Sequence, residues 1–190
     1  MLLSTFAFSV SARDPCLLLM LHRQRLLALL EESSDPDNPG PDQILDILHR
    51  LCKVAVVGIS RDPIKPARRV PSYLAAKGAD IVPVNPNASR ILGRPCHPTL
   101  QDVKEPVDMV LLFRPSDQVG PFVREAAARP ERPVIWLQEG IRSDPEAREA
   151  RAAGRVVVQD LCIYKVHRAM GLDDTIRRAG QRLGRPISRA

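Results

Sequence analysis

Five short runs of apolar, largely β-branched residues constrain this chain more than any other feature: 54–57, 81–84, 107–113, 134–137 and 156–158. None shows sustained polar alternation, so each reads as a strand covered on both faces. Helical stretches lie between them at 67–77, 116–129 and 144–153, and a last helix is predicted over 162–170. The third stretch has Asp144 and Pro145 where an N-cap and first helical position would be, and it stops at Gly154. Alternation at this spacing predicts an α/β chain: a Rossmann-like, doubly wound, mainly parallel five-stranded sheet with helices on both faces and right-handed crossovers.

Ahead of the alternation, residues 16–32 read as a leucine-rich helix and 33–41, SSDPDNPGP, as an exposed linker. Residues 42–50 form a short amphipathic helix, with Asp42 as the expected N-cap and Ile44, Leu45 and Leu48 on one face. The organisation expected is an extension over 1–41, a domain over 42–170 and a basic tail over 171–190, with 42–172 sufficient to fold and bind. Residues 2–10 are apolar, but no Lys or Arg precedes them as a secretory signal requires. A start at Met20 fits the same pattern. No apolar run reaches the ~20 residues of a membrane span.

Charge needs care. The net charge is +6, from 23 Arg, 5 Lys and 22 acids. It divides as −3 over 1–50, +6 over 51–170 and +3 over 171–190. The excess in the middle is spread out, aromatics are only 4%, and neither N-terminal helix has a helix-turn-helix pattern. No nucleic-acid partner is therefore expected; a small polyanion suits the chain better. Cys16, Cys52, Cys96 and Cys162 form no C-x-x-C pair, so no zinc site is expected and the thiols read as reduced, in a cytoplasmic protein.

The loop after the first strand faces the ligand crevice of such a sheet. The G-x-G-x-x-G positions there are filled by Gly58, Ser60 and Pro63. The second strand ends at Asn85, where an NAD site calls for an acid on the ribose hydroxyls. Meanwhile Lys65, Arg68 and Arg69 crowd the first loop and helix. A ligand with several phosphates would favour that.

Taken in order, VAVVGIS (54–60), RRVPSYLAAKGADIVPVNPN (68–87), ILGRPCHPTLQDV (91–103), PVDMVLLFRPSDQV (106–119), VIWLQEGI (134–141) and AAGRVVVQDLC (152–162) resemble the stand-alone CoA-binding domain family. That family is similar to the nucleotide-binding half of the succinyl-CoA synthetase alpha subunit. The resemblance implies a Rossmann-like domain that binds coenzyme A or an acyl-CoA. It implies that Gly58 and Ser60 hold the pyrophosphate loop, that Lys65 and Arg69 meet phosphate, and that Val70 lines the adenosine side. Asn85 and Pro86 would border adenine and ribose. Phe113, Arg114 and Pro115 would flank pantetheine, and Gln138 and Gly140 would close the far wall. Pro66 and Pro71 depart from a simple loop–helix junction.

Catalytic machinery is not evident. The synthetase relatives use a phosphorylated histidine on a second domain, which residues 171–190 are too few to supply. Cys162 and His167, five residues apart on one helix, do not share a face well, which disfavours a nucleophile pair. Asp160 reads as a cap for the last helix, and Trp136 as core. The alternatives are an NAD(P)- or other nucleotide-binding sensor and one half of an acyl-CoA ligase needing a partner subunit. A homo-oligomer is a further expectation of the same kind.

Overall fold

The computed structural model describes residues 15–171, with side chains from residue 20 onward; the expectations for 1–14 and for the basic tail lie outside them. Helices α1 (Pro15–Glu32) and α2 (Pro41–Arg50) precede β1 (Lys53–Val57), α3 (Pro66–Ala76) and β2 (Asp80–Val84). A small antiparallel hairpin follows, β3 (Arg90–Ile91) with β4 (Arg94–Pro95), then a 3-10 turn at Leu100–Asp102. The remainder alternates: β5 (Met109–Leu112), α4 (Ser116–Ala127), β6 (Val134–Leu137), α5 (Asp144–Ala152), β7 (Val157–Val158) and α6 (Ile163–Ala169).

The sheet has the order β2-β1-β5-β6-β7, and every pairing in it is parallel. Because side chains alternate across a strand, each strand feeds two cores. Val54, Val56, Ile81, Met109, Leu111, Trp136 and Val158 face α1, α2, α3 and α6. Ala55, Val57, Val82, Val110, Leu112, Ile135 and Val157 face α4, α5 and the 3-10 turn. Two covered faces explain why the strands read as unbroken apolar runs. Trp136 is fully buried and donates its indole N–H to the Leu161 carbonyl (2.7 Å), so its polar edge is satisfied within the core.

Some local expectations change. Helix α2 is capped by Gly40 with Pro41 in its first turn, not by Asp42; proline has no N–H to leave unpaired there. Ser143, not Asp144, caps α5. Cys162 occupies the N-cap of α6, so Asp160 does not cap it. The 33–41 segment is not simply an exposed linker. Asp35 is buried and receives hydrogen bonds from Arg151 (2.7 Å) and Gln159 (3.0 Å), while Asn38 exchanges bonds with the Gln159 backbone. Leu26 of α1 is fully buried against the first core. No helix among the described residues is long and apolar enough to cross a membrane.

Candidate functional site

In the strand order, β1 and β5 are neighbours whose chains leave in opposite directions, to β2 on one side and β6 on the other. A crevice opens at the carboxyl ends of strands at such a point. Here it is a cavity of about 670 Å³, and it gathers Gly58, Ser60, Lys65, Asn85, Pro86, Phe113 and Arg114. Seven of the twelve expected site residues thus share one cavity.

The floor is built by close backbone approach. Gly58 has φ +80°, and a Cβ there would stand 3.0 Å from the Phe113 carbonyl oxygen and 3.0 Å from Arg114 Cδ. Its N–H donates to the Val84 carbonyl (3.1 Å). The Ser60 N–H donates to the Ala67 carbonyl (3.1 Å), and Ser60 Oγ accepts from the Asp62 N–H. The Ala67 carbonyl is open because Pro71, four residues on within α3, has no N–H to give it. The internal proline therefore pins the loop instead of breaking the helix. Since the Gly58 and Ser60 amides are engaged, they shape the turn; at the start of α3 Pro66 has no N–H and the Arg68 and Arg69 amides both donate to the Lys65 carbonyl, so the cations able to meet an anion in this cavity are the Lys65 and Arg114 side chains.

Asn85 also has a structural task. Its Nδ2 donates to the Ile59 carbonyl (2.7 Å) and its Oδ1 accepts from the Asn87 N–H (2.7 Å). One side chain ties the first loop to the second. An aspartate could not donate, which explains the missing acid in physical terms.

Two polar groups in this cavity stand out. Arg114 gives one N–H to Gln118 Oε1 (2.6 Å), but its Nε is buried without a hydrogen-bond partner among the described residues. Glu125, across the cavity beside Phe122 and Gln101, has a buried Oε1 that no hydrogen bond reaches. Burial pushes its carboxyl above the ordinary value, against a weaker lowering by the Gln101 amide. Buried polar atoms are nearly always paired, so these mark the wall where a ligand's polar groups would fit. Neither Glu125 nor Gln101 is singled out by any motif in the sequence.

The remaining expected residues go elsewhere. Arg69 and Val70 line a second cavity of about 560 Å³ on the other side of α3, with Arg68, Tyr73, Glu139, Cys162 and Tyr164. Pro115, Gln138 and Gly140 line neither cavity. Gln138 is buried, donating to Cys162 Sγ (3.2 Å) and accepting from the Ile163 N–H (3.2 Å). The Gly140 N–H donates to Asp160 Oδ1 (2.6 Å). Lys65 and Arg69, expected to share the phosphates, thus belong to different cavities.

The histidine and cysteine chemistry is likewise divided. His167 is fully buried and its Nδ1 pairs with the Tyr73 hydroxyl (2.9 Å), while Cys162 is held by Gln138. Glu139 pairs with Lys165 at 2.5 Å. Among the described residues no group of three His, Cys, Asp or Glu side chains stands close enough to hold a metal ion.

Comparisons with known proteins bear on the family and the fold. The family model described as a CoA binding domain matches residues 52–168. An uncharacterized Bacillus subtilis protein, YneT, is 35% identical over 130 residues, which is 68% of this chain and 96% of that one. An ADP-forming acetate–CoA ligase of Archaeoglobus fulgidus is 33% identical over 95 residues, 49% of this chain but only 14% of the ligase. Among solved structures, cell-free ID.343 from Thermus thermophilus superposes with a TM-score of 0.65 at 33% identity, covering 70% of this chain and 99% of its own. A hypothetical protein from Pyrococcus horikoshii does so at 0.68 and 30%, covering 73% and 96%. With the family model covering most of the chain and every β–α unit of the sheet, the protein belongs to the CoA-binding domain family.

Proposed function

We propose that the chain binds coenzyme A, free or as an acyl thioester, in the cavity at the β1–β5 switch point. The phosphates lie toward Lys65 and Arg114, and the nucleoside lies toward Asn85 and Pro86. The observation that carries this reading is Arg114: a guanidinium at a strand end, lining a nucleotide-sized cavity, with a buried Nε left unpaired. Lys65, exposed at the N-cap of α3, adds a second cation on the same side. The reading is of a binding protein in the cytoplasm, where free thiols such as Cys52 and Cys96 persist.

Thermal unfolding of the full chain with CoA, acetyl-CoA, NAD, NADP and ATP tests it. A ligand at 100 times its dissociation constant adds about 2.7 kcal/mol of stability, and CoA or acetyl-CoA is expected to give the largest shift. Greater stabilisation by NAD than by CoA would overturn the reading. Lys65→Ala removes one charge-assisted contact and is expected to weaken CoA about 10- to 150-fold without lowering the melting temperature.

A second reading, half of an acyl-CoA ligase working with a partner subunit, draws on the identity to the acetate–CoA ligase. It predicts co-elution with an ATP-grasp subunit from the native cell extract. A protein that elutes alone at every stage would leave the binding role standing without the ligase.

A further inference from the structure

The second cavity is not accounted for by a nucleotide at the switch point. It lies between α3 and α6, and its lining differs in kind from the first. Tyr73 and Tyr164 stand edge to face, with ring centroids 4.7 Å apart. The Tyr73 hydroxyl is engaged by the buried His167, leaving its ring as apolar wall. Two guanidinium groups, Arg68 and Arg69, border the same space. Arg68 bonds only Ser72 Oγ (3.4 Å) among the described residues, and Arg69 has no ion-pair partner among them. The carboxylate that also lines the cavity, Glu139, is occupied by Lys165. The net character is therefore an apolar pocket with a doubly cationic rim.

Position identifies which end of a ligand reaches it. Glu139 follows β6 and Cys162 follows β7, whereas the first cavity is bounded by the ends of β1, β2 and β5. From β1 to β7 is three inter-strand steps, about 14 Å at the usual spacing. A nucleotide seated at β1 and β2 would send its extended arm in that direction. We infer that the second cavity receives the acyl end of a thioester, and that Arg68 and Arg69 select an acyl group ending in a carboxylate, that is, a short dicarboxylic acyl-CoA. The inference rests on the CoA reading above. A paired, forked donor set suits a carboxylate, and the tyrosine rings suit the methylenes between it and the thioester.

The chemistry that recognises a terminal carboxylate would also take the 3′-phosphate of CoA, so the test separates the two. The full chain is titrated calorimetrically with CoA, dephospho-CoA, acetyl-CoA, malonyl-CoA and succinyl-CoA. At least one of the last two is expected to bind tenfold or more tighter than acetyl-CoA, since one charge-assisted pair corresponds to about that factor. The double variant R68Q/R69Q is expected to erase this gap while the preference for CoA over dephospho-CoA persists. Arg69 is exposed, so R69Q alone keeps the fold and is expected to narrow the gap. Equal affinity for acetyl-CoA and both dicarboxylic thioesters in the unaltered chain overturns the inference and leaves CoA binding intact. So does a variant that loses the dephospho-CoA discrimination instead. Failure of every CoA species to bind overturns the CoA reading itself and this inference with it.

Discussion

Gly58 and Asn85 are legible in the sequence as loop residues of a nucleotide crevice, but what each does depends on atoms far along the chain. Gly58 is needed less for a phosphate than for the Phe113–Arg114 backbone pressed against it. Gly58→Ala combines a left-handed φ with contacts at 3.0 Å to a backbone oxygen that cannot swing aside. It is expected to cost about 1–3 kcal/mol in chemical unfolding, and to weaken CoA by moving Arg114. A variant with unchanged stability would mean that the β1 and β5 loops are free to separate. Asn85 makes the complementary case. Its lack of charge reads as an argument against NAD, yet the physical reason is its donated bond to Ile59. Asn85→Asp loses that donor and sets a carboxylate against a carbonyl. Unfolding should show a loss of about 1–3 kcal/mol, and no NAD affinity should appear. A stable aspartate variant that binds NAD would show that charge alone decides the ligand. Pro71 was legible only as a departure from pattern; its use emerges once Ser60 is seen on the Ala67 carbonyl.

At the scale of elements, the five strands were readable because burial on both faces leaves unbroken apolar runs, a signal carried by each segment alone. The β3–β4 hairpin was not. Its strands have two residues each, too few for any periodicity, and its turn rests on positive φ at Leu92 and Gly93. The 33–38 segment escaped for another reason. Its Pro, Asp and Ser content describes an exposed linker, while its order comes from partners more than a hundred residues away, among them Gln159, Asp160 and Arg151. That docking is expected to depend on pH. Burial alone would raise the Asp35 carboxyl, but hydrogen bonds from Arg151, Gln159 and the Asp37 amide outweigh it and hold the group below its ordinary value. Asp160 is lowered similarly: burial is outweighed by the Ser34 side chain and the Ser34 and Gly140 amides, with Arg142 adding. A depressed folded-state value means that the stabilisation is fully present above the unfolded value near 3.8 and drains away as pH falls through the lower folded value. The protection of amides 33–38, measured against their intrinsic exchange rate at each pH, should therefore fall below about pH 4 before that of the sheet does. Asp35→Asn should remove the Asp35 share of that dependence and cost stability at neutral pH, because Arg151 would lose its nearer, buried charged partner and keep only the exposed Asp37 at 3.7 Å. Protection of 33–38 that does not change with pH in the unaltered chain would contradict this.

For the whole molecule, the boundary at residue 42 follows the change in sequence pattern, but packing ignores it. Helix α1 places Leu26 in the same core as Trp136, Ile163 and Val166, and the segment after it bonds Gln159 and Asp160, just past β7, and Arg142. The extension therefore covers α6, the element that walls the second cavity through Tyr164. Had the sequence been read only for alternation, residues 42–172 would be expected to fold and bind as the full chain does. The structure predicts otherwise. Cutting at 42 uncovers the apolar surface under Leu26, worth about 1.5–3 kcal/mol for a side chain of that size. It also strips Arg151 and Gln159 of Asp35, worth about 1–3 kcal/mol more. Together these should lower the melting temperature by about 10 °C, at 2–4 °C per kcal/mol for a chain of this length. Leu26→Ala in the full chain should reproduce part of the loss, about 2–5 kcal/mol, without touching the linker. The two cavities should respond unequally. The first is lined by the loops after β1, β2 and β5 and by α4, with no residue of α1 or of 33–41 in its wall, so the shortened protein should keep its affinity for CoA at temperatures where it remains folded. Any selectivity read through Arg68, Arg69 and Tyr164 should weaken as α6 loosens. If the shortened protein melts with the full chain and treats every thioester alike, the extension is a passenger and the first boundary stands as the sequence drew it.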